Sequence, residues 1–532
     1  MGKQMKKIQL FDTTLRDGAQ SAGISFSVED KLKIAKALDA FGMDYIEGGW
    51  PMASANVEQF FREAAKIKFI HSKLVAFGST RHKANAAHND PNLKSIIASK
   101  VKVACIFGKT WDLHVEHALH STLDDNLKMI SDSVAYLRSK GLKVIYDAEH
   151  FFDGYRANAE YAMATLRAAA DAGAFNLTLC ETNGGKLPSD IRELVAVVRR
   201  AFPKMELGIH AHNDSDCAVA NSIVAVQEGA TLVQGTINGL GERCGNANLC
   251  SIIPALQLKL GYDCLLKKKL QHLTELSYYI DEVANLVPND NQPYVGRNAF
   301  AHKAGIHASA VARMSATYEH LDPVSVGNER RILVSEMAGK SNVSFKAKEL
   351  DLDFEKDPKA AGKIINAVKE MENNGYQFED ADGSFVLLSR KALGKYVPSF
   401  TLKSFRVSVE KDENGAIVSE ATIKLDINGA QVHTVAEGDG PVNALDNSLR
   451  KALIKFYPEI ADVSLMDFKV RVINAGAGTA AKVRVLIESK DSHSTWGTIG
   501  VSENLIDASW KALVDAVEYK LMKKTTKKPG RR

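Results

Sequence analysis

From Ile8 to about Tyr262 the sequence alternates between short apolar runs, β-branched in places, and longer stretches with helical spacing. The strand candidates are eight: IQLFDTT, YIEGGW, LVAFGS, VKVACIFG, KVIYDAEH, NLTLCET, ELGIHAHN and LVQGTING. Amphipathic segments lie between them, such as Glu29–Phe41, Val57–Ile67, Asp124–Lys140, Ala157–Ala172, Pro188–Phe202 and Cys217–Glu228. Strands that alternate with helices imply parallel βα units. Eight such units can close into a (β/α)8 TIM barrel of ~250 residues, the length of this stretch. An open doubly wound sheet is the alternative.

A barrel builds its active site from the C-terminal ends of its strands, and the polar residues collect there. Arg16 and Asp17 end the first strand, Glu47 lies in the second, Glu149 and His150 end the fifth, and Glu181 and Thr182 the sixth. His210, His212, Asn213 and Asp214 end the seventh, and Asn238, Glu242, Arg243 and Asn246 follow the eighth. Charges placed only for solubility would not gather at one end of successive strands.

His210 and His212 stand two apart on a strand, so both imidazoles share a face and can reach one ion. Asp17 and Asn246, at the mouths of strands one and eight, would add oxygen ligands. Mixed imidazole, carboxylate and amide donors suit Zn, Mn or, less well, Mg. The run Gly239-Leu-Gly241-Glu-Arg-Cys-Gly245 has one residue too many for a dinucleotide fingerprint, and Gly476-Ala-Gly478 leads into a strand-like run rather than a helix, so neither supports a Rossmann site.

A chain of 532 residues exceeds one core, and at ~150 residues per domain it holds either several units or one large one with appendages. Lys plus Arg exceeds Asp plus Glu by 68 − 64 = 4, too little for a whole-chain field that would recruit nucleic acid or an anionic membrane. Much of the excess lies in a basic tail after Met522, read as a solvated end. The six cysteines form no Cys-x-x-Cys pair and read as reduced core thiols. With no signal region and no membrane-length apolar run, a cytoplasmic protein is expected.

DTTLRDGAQ (Asp12 to Gln20), HAHND (His210 to Asp214) and NGLGERCGN (Asn238 to Asn246) resemble the signatures of the 2-isopropylmalate, homocitrate and citramalate synthase family. The longer stretches YDAEHFFDGY, TYEHLDPVSVGNERRILVSEMAGKSN and TWGTIGVSENLIDASWKALVDAVEYKL are most similar to its longer citramalate synthases. The resemblance implies an acyltransferase that joins acetyl-CoA to a 2-oxo acid and hydrolyses the thioester. It implies a divalent ion on Asp17, His210, His212 and Asn246, with Arg16 hydrogen-bonded to the ketone oxygen. Glu149, His307 and Tyr318 match the family's proton-transfer residues, leaving open which takes the proton. Tyr146 and Thr182 match residues that contact the oxo acid. Ser309 replaces a frequent Asp two residues beyond the catalytic histidine, and Ala22-Gly23 replaces a Pro-Gly pair.

The expected division is a barrel over 1–262, a helical connector over 263–396, a C-terminal α+β regulatory domain over 397–522 and the tail 523–532. The regulatory region repeats a βββα pattern. By resemblance the chain forms a homodimer in which the connector crosses to the partner and places the catalytic His and Tyr over the neighbouring barrel. The regulatory region binds a branched-chain amino acid, isoleucine being expected. Pyruvate is the expected oxo acid in a small pocket. 2-Oxoisovalerate, a homocitrate-type substrate and a metal-dependent lyase are alternatives, and an amino-acid sensor on a dead barrel is the non-enzymatic rival.

Overall fold

The computed structural model describes residues 6–334, 342–343, 346, 350, 359–411, 413–473, 478 and 480–526. The later part of the stretch ending EMAGKSN, Gly476, and the tail from 527 onward lie outside the described residues. The chain divides into two compact units, one running to Phe300 and including Leu321–Glu329, the other comprising Ala301–His320 and the chain from Arg330 onward.

In the first unit the strands β1 (Gln9–Asp12), β2 (Tyr45–Gly49), β3 (Lys73–Ser79), β4 (Val103–Lys109), β5 (Lys143–Glu149), β6 (Asn176–Glu181), β7 (Glu206–Ala211) and β8 (Leu232–Gly235) form a closed barrel in that order. Closure is explicit, because β1 pairs in parallel with β2 on one side and with β8 on the other, Phe11 facing Tyr45 and Gln234. That excludes the open sheet. Each strand feeds at least one helix, including Pro91–Ala98 and Leu249–Pro254, which the periodicity did not reveal.

Local chemistry sets the helix ends. Ser27 and Asp30 form a capping box at the start of the helix Val28–Phe41, which stops at Gly42 with φ of 105°, a left-handed conformation that glycine adopts without Cβ strain. Asp90 caps the helix Pro91–Ala98 by accepting from the backbone of Leu93, and proline at the first turn loses no helical hydrogen bond.

Successive strand residues face opposite ways. Leu10, Ile46, Ala104, Val144, Tyr146, Leu177 and Ile209 join the core beneath the helices, whereas Phe11, Tyr45, Val75, Val103, Ile145 and Leu232 form a separate cluster inside the barrel.

The second unit carries β9 (Ala301–His302) paired with β10 (Arg331–Ile332), and helices that include Gly305–Arg313, Ala360–Asn373 and Asp382–Ala392. Two antiparallel sheets follow. One contains β11 (Thr401–Lys411), β12 (Ile417–Ile427) and β13 (Ala430–Gly438), and the other β14 (Ser464–Val472), β15 (Val483–Lys490) and β16 (Thr495–Ser502). Each sheet leads to a helix, Pro441–Leu453 and Leu505–Thr526, so the βββα repeat is present. Ile423, Leu425, Leu449, Val485, Ile487 and Leu513 share one core. No helix among the described residues is long and apolar enough to cross a membrane.

Candidate active site

The upper end of the barrel interior is polar. β7 carries His210 inward and the chain carries His212 inward after it, with Ala211 between them packed against the helices. Asp17, in the loop after β1, completes a buried group of three whose ligand atoms all lie within 4.8 Å of one another. His210 Nε2 stands 3.3 Å from His212 Nε2 and 3.4 Å from Asp17 Oδ2. With metal–ligand bonds of about 2.0–2.2 Å, donors on one tetrahedral ion lie about 3.4 Å apart. Asn246 pairs through its backbone with His212, and its buried Oδ1 has no protein partner. The donor set therefore fits a divalent ion.

A hydrogen-bond chain orients the cluster. Gln234 Nε2 donates to Asp147 Oδ1 at 2.8 Å, which turns Gln234 Oε1 toward His210 Nδ1 at 2.9 Å. An amide oxygen only accepts, so Nδ1 carries the proton and the Nε2 lone pair faces Asp17 and His212. Burial and the neighbouring His210 push the His212 pKa down to about 3, which leaves its imidazole neutral and able to ligate.

Arg16 donates to both oxygens of Asp17, at 2.8 and 2.9 Å, and through Nε to Glu47. Its guanidinium lies 3.8 Å over the Phe77 ring. Burial opposes the Asp17 charge, yet Arg16 and the two histidines outweigh it and hold the carboxyl below its ordinary range. Glu47 is fully buried; its pKa rises to about 7 because burial exceeds the help it receives from Arg16.

A cavity of about 470 Å³ opens above these groups, lined by Arg16, Asp17, Glu149, Thr182, His210 and His212 among others. Trp50, Phe77 and Phe107 form an aromatic wall to it, with ring centres 5.4–6.2 Å apart. Glu149 pairs with Lys109, and Thr182 Oγ1 accepts from the backbone N–H of His150 at 3.0 Å.

Tyr146 does not join them. It is completely buried on the outer face of β5 and packs with Val144 and Ala148 beneath the helices. Ile145, Asp147 and Glu149 occupy the inner face, so the residue of this segment beside Glu149 in the cavity is Asp147. His307 and Tyr318 belong to the second unit, where their rings stack with centroids 4.1 Å apart and an interplanar angle of 28°. Both are exposed.

Sequence reasoning missed Gln234, Asp147 and Lys31 as members of this site. Alternation from Glu149 would have found Asp147. The stripe Lys31, Ile34, Ala35, Leu38 would have turned Lys31 inward.

Residues 7–280 match the HMGL-like family, 294–376 the homocitrate synthase post-HMGL domain-like family, and 379–521 the LeuA allosteric (dimerisation) domain. The chain is 54% identical to the (R)-citramalate synthase of Geobacter sulfurreducens, over 98% of each chain. It is 51% identical to that of Aquifex aeolicus, over 97% of this chain and 98% of the relative. A probable 2-isopropylmalate synthase of Methanopyrus kandleri is 31% identical, over 96% and 98%. The chain belongs to the HMGL-like family, in its citramalate synthase branch.

Proposed function

We propose that this chain is an (R)-citramalate synthase that condenses acetyl-CoA with pyruvate and hydrolyses the thioester to release CoA. The observation that carries the reading is the Asp17–His210–His212 cluster sharing one cavity with Arg16, in a chain alike over its full length to (R)-citramalate synthases.

Asp17, His210, His212 and Asn246 would hold a divalent ion, which when bound would supply Lewis-acid polarisation of the ketone. Of the five N–H donors of a guanidinium, Arg16 engages three with Asp17 and Glu47. The remaining donors serve the ketone oxygen as it gains alkoxide charge, fixed in place before reaction by two carboxylates and the Phe77 ring. The Thr182 hydroxyl already accepts one hydrogen bond and can turn its own hydrogen toward the oxo acid. Removal of a proton from the acetyl methyl falls to Glu149, held at the cavity by Lys109, or to His307, stacked on Tyr318. Pyruvate rather than a larger oxo acid rests on the full-length likeness to (R)-citramalate synthases, since a pocket distinguishes substrates by only ~1–3 kcal/mol per methylene and one or two lining residues can set the preference.

We read the LeuA-type region as the site of homodimer formation and of feedback by isoleucine, and the enzyme as cytoplasmic, which its six unpaired thiols support.

The test is CoA release by purified protein supplied with acetyl-CoA and a panel of 2-oxo acids, with and without divalent metal. Turnover is expected with pyruvate and metal. Faster turnover of 2-oxoisovalerate would replace citramalate by isopropylmalate synthesis, and no release with any acid would end the enzymatic reading.

A further inference from the structure

The catalytic cavity is lined by three cationic side chains, Arg16, Lys31 and Arg243. Arg16 is matched by Asp17 and Glu47, and Arg243 by Asp214. Lys31 has no carboxylate partner among the described residues. Its ammonium makes one hydrogen bond, to the Gly48 carbonyl at 3.4 Å, and lies 6.0 Å from the centre of the Phe60 ring.

This lysine is held inward by its helix. Within Val28–Phe41 it shares the buried face with Ile34, Ala35 and Leu38, and the residue is 8% exposed. The end of β2 runs beside it. A Cβ on Gly48 would meet Phe60 at 2.4 Å, and one on Gly49, where φ is +133°, would approach Lys31 Nζ to 3.6 Å. Two consecutive glycines therefore let β2 close against Phe60 and Val57 of the following helix, since a Cβ on Gly49 would also meet Val57 at 2.9 Å, and the ammonium lies alongside at the cavity wall. Burial pushes the Lys31 pKa down to about 8, so the side chain is still mainly charged at neutral pH. A buried ammonium with one weak carbonyl contact is costly to retain, and an anion in the cavity would supply the missing counter-charge.

We propose that Lys31 is an anion-binding residue of this site, its Nζ donating to an anionic oxygen of a substrate, either the carboxylate of the oxo acid or a phosphate of CoA. The identity of those anions rests on the citramalate synthase reading.

Substitution Lys31→Met keeps most of the apolar stem and removes the charge. In steady-state CoA release, the KM of one substrate is expected to rise about 10- to 100-fold, the size of a lost charge-assisted hydrogen bond, with kcat changing far less. A rise for pyruvate assigns the carboxylate, and a rise for acetyl-CoA assigns the phosphate. Lys31→Arg should recover part of the loss. In parallel, pyruvate and free CoA are each added to metal-loaded wild type and Lys31→Met while thermal unfolding is followed. The ligand that stabilises the wild type should lose that effect in the variant. This second arm needs no turnover, so it judges Lys31 even if the enzymatic reading fails. Unchanged KM values, equal ligand shifts in both proteins, or no shift by either ligand in the wild type would overturn the proposal. A lower unfolding temperature with intact ligand shifts would show a purely structural lysine and overturn it too.

Discussion

The two ends of the barrel interior are built on the same strands and the same inward face, yet they are chemically opposite. At the lower end Phe11, Tyr45, Val75, Val103, Ile145 and Leu232 pack as a buried apolar plug. Two residues further along β2, β5 and β8 stand Glu47, Asp147 and Gln234, all buried and all polar, while β3 and β4 continue the apolar cluster with Phe77 and Cys105. At about 3.3 Å per residue the change takes only ~7 Å. Burying polar groups so close to a plug is made less costly because most of them pair with one another, although Glu47 Oε1 and Asn246 Oδ1 have no protein partner. Gln234 joins Asp147 to His210, and Arg16 joins Asp17 to Glu47. The plug contributes stability without chemistry, and the polar layer above it contributes chemistry at some expense of stability.

The sharpest attempt to break that division is His210→Ala. It removes one of the clustered ligand groups, and CoA release should fall to background while thermal stability without metal is unchanged or higher. Retained turnover would mean that the cluster is not the reaction centre. A smaller effect is expected from Gln234→Leu, which leaves every ligand atom in place but frees the His210 ring to turn. Divalent-metal affinity measured by calorimetry should fall about 10- to 100-fold, as for other lost partners of ligating histidines. Equal affinity in variant and wild type would sink the orienting role. Below the divide the readout reverses. Ile145→Ala should cost about 2–5 kcal/mol of barrel stability through the cavity it leaves, with both KM values and kcat preserved in the folded fraction. A large kinetic change there would show that the two layers are not separable.

How much of this was legible in the sequence follows the same divide. The eight strands and the inward His210-x-His212 pair follow from the succession of short apolar runs and helical segments and from the two-residue period of a strand. Closure does not, since an open doubly wound sheet shares that succession and only the β1–β8 pairing excludes it. Tyr146 shows where that reading slipped. Matched to a substrate-contact position by resemblance, it lies one residue out of phase with Glu149, and a shift of one residue on a strand moves a side chain to the other face. Gln234 carries no local signal. A single Gln in LVQGT gains a role only when closure brings β8 across from β5, so its partner Asp147, 87 residues away, is invisible to any window. Lys31 was legible in principle, since it falls on the apolar stripe of its helix, but charged residues in an amphipathic segment read as solvent-facing by default.

The smallest expected effect concerns pH, and it also separates the two layers. Burial raises the pKa of Asp12 to about 7, only partly offset by hydrogen bonds from Thr14, and Glu47 is likewise raised to about 7. An unfolded carboxyl ionises near pH 4. Glu181 is raised to about 7 as well, so between roughly pH 4 and pH 7 three carboxyls hold protons in the folded barrel that the unfolded chain has released. They outweigh the opposing contribution of His212, which binds a proton in this range only when unfolded. Stability should therefore decline as pH rises through that window, then level off. Asp12→Asn removes one of these titrations while keeping the geometry. Its amide oxygen can still accept from Thr14 N, and its NH₂ can donate to Thr14 Oγ1 in place of the bond that now runs from Thr14 to the carboxylate. Hydrogen exchange of the β1 and β8 amides at pH 5, 6 and 7, corrected for intrinsic exchange, measures the slope within the barrel itself. The wild type should lose protection steadily and Asp12→Asn less so. Ile145→Ala should lower protection by the same amount at every pH, because no plug residue titrates in this range, burial having pushed the Tyr45 hydroxyl up to about 12. Parallel slopes for the wild type and Asp12→Asn would remove Asp12 from the account, and a steeper slope for Ile145→Ala would join the two layers that their residues otherwise keep apart.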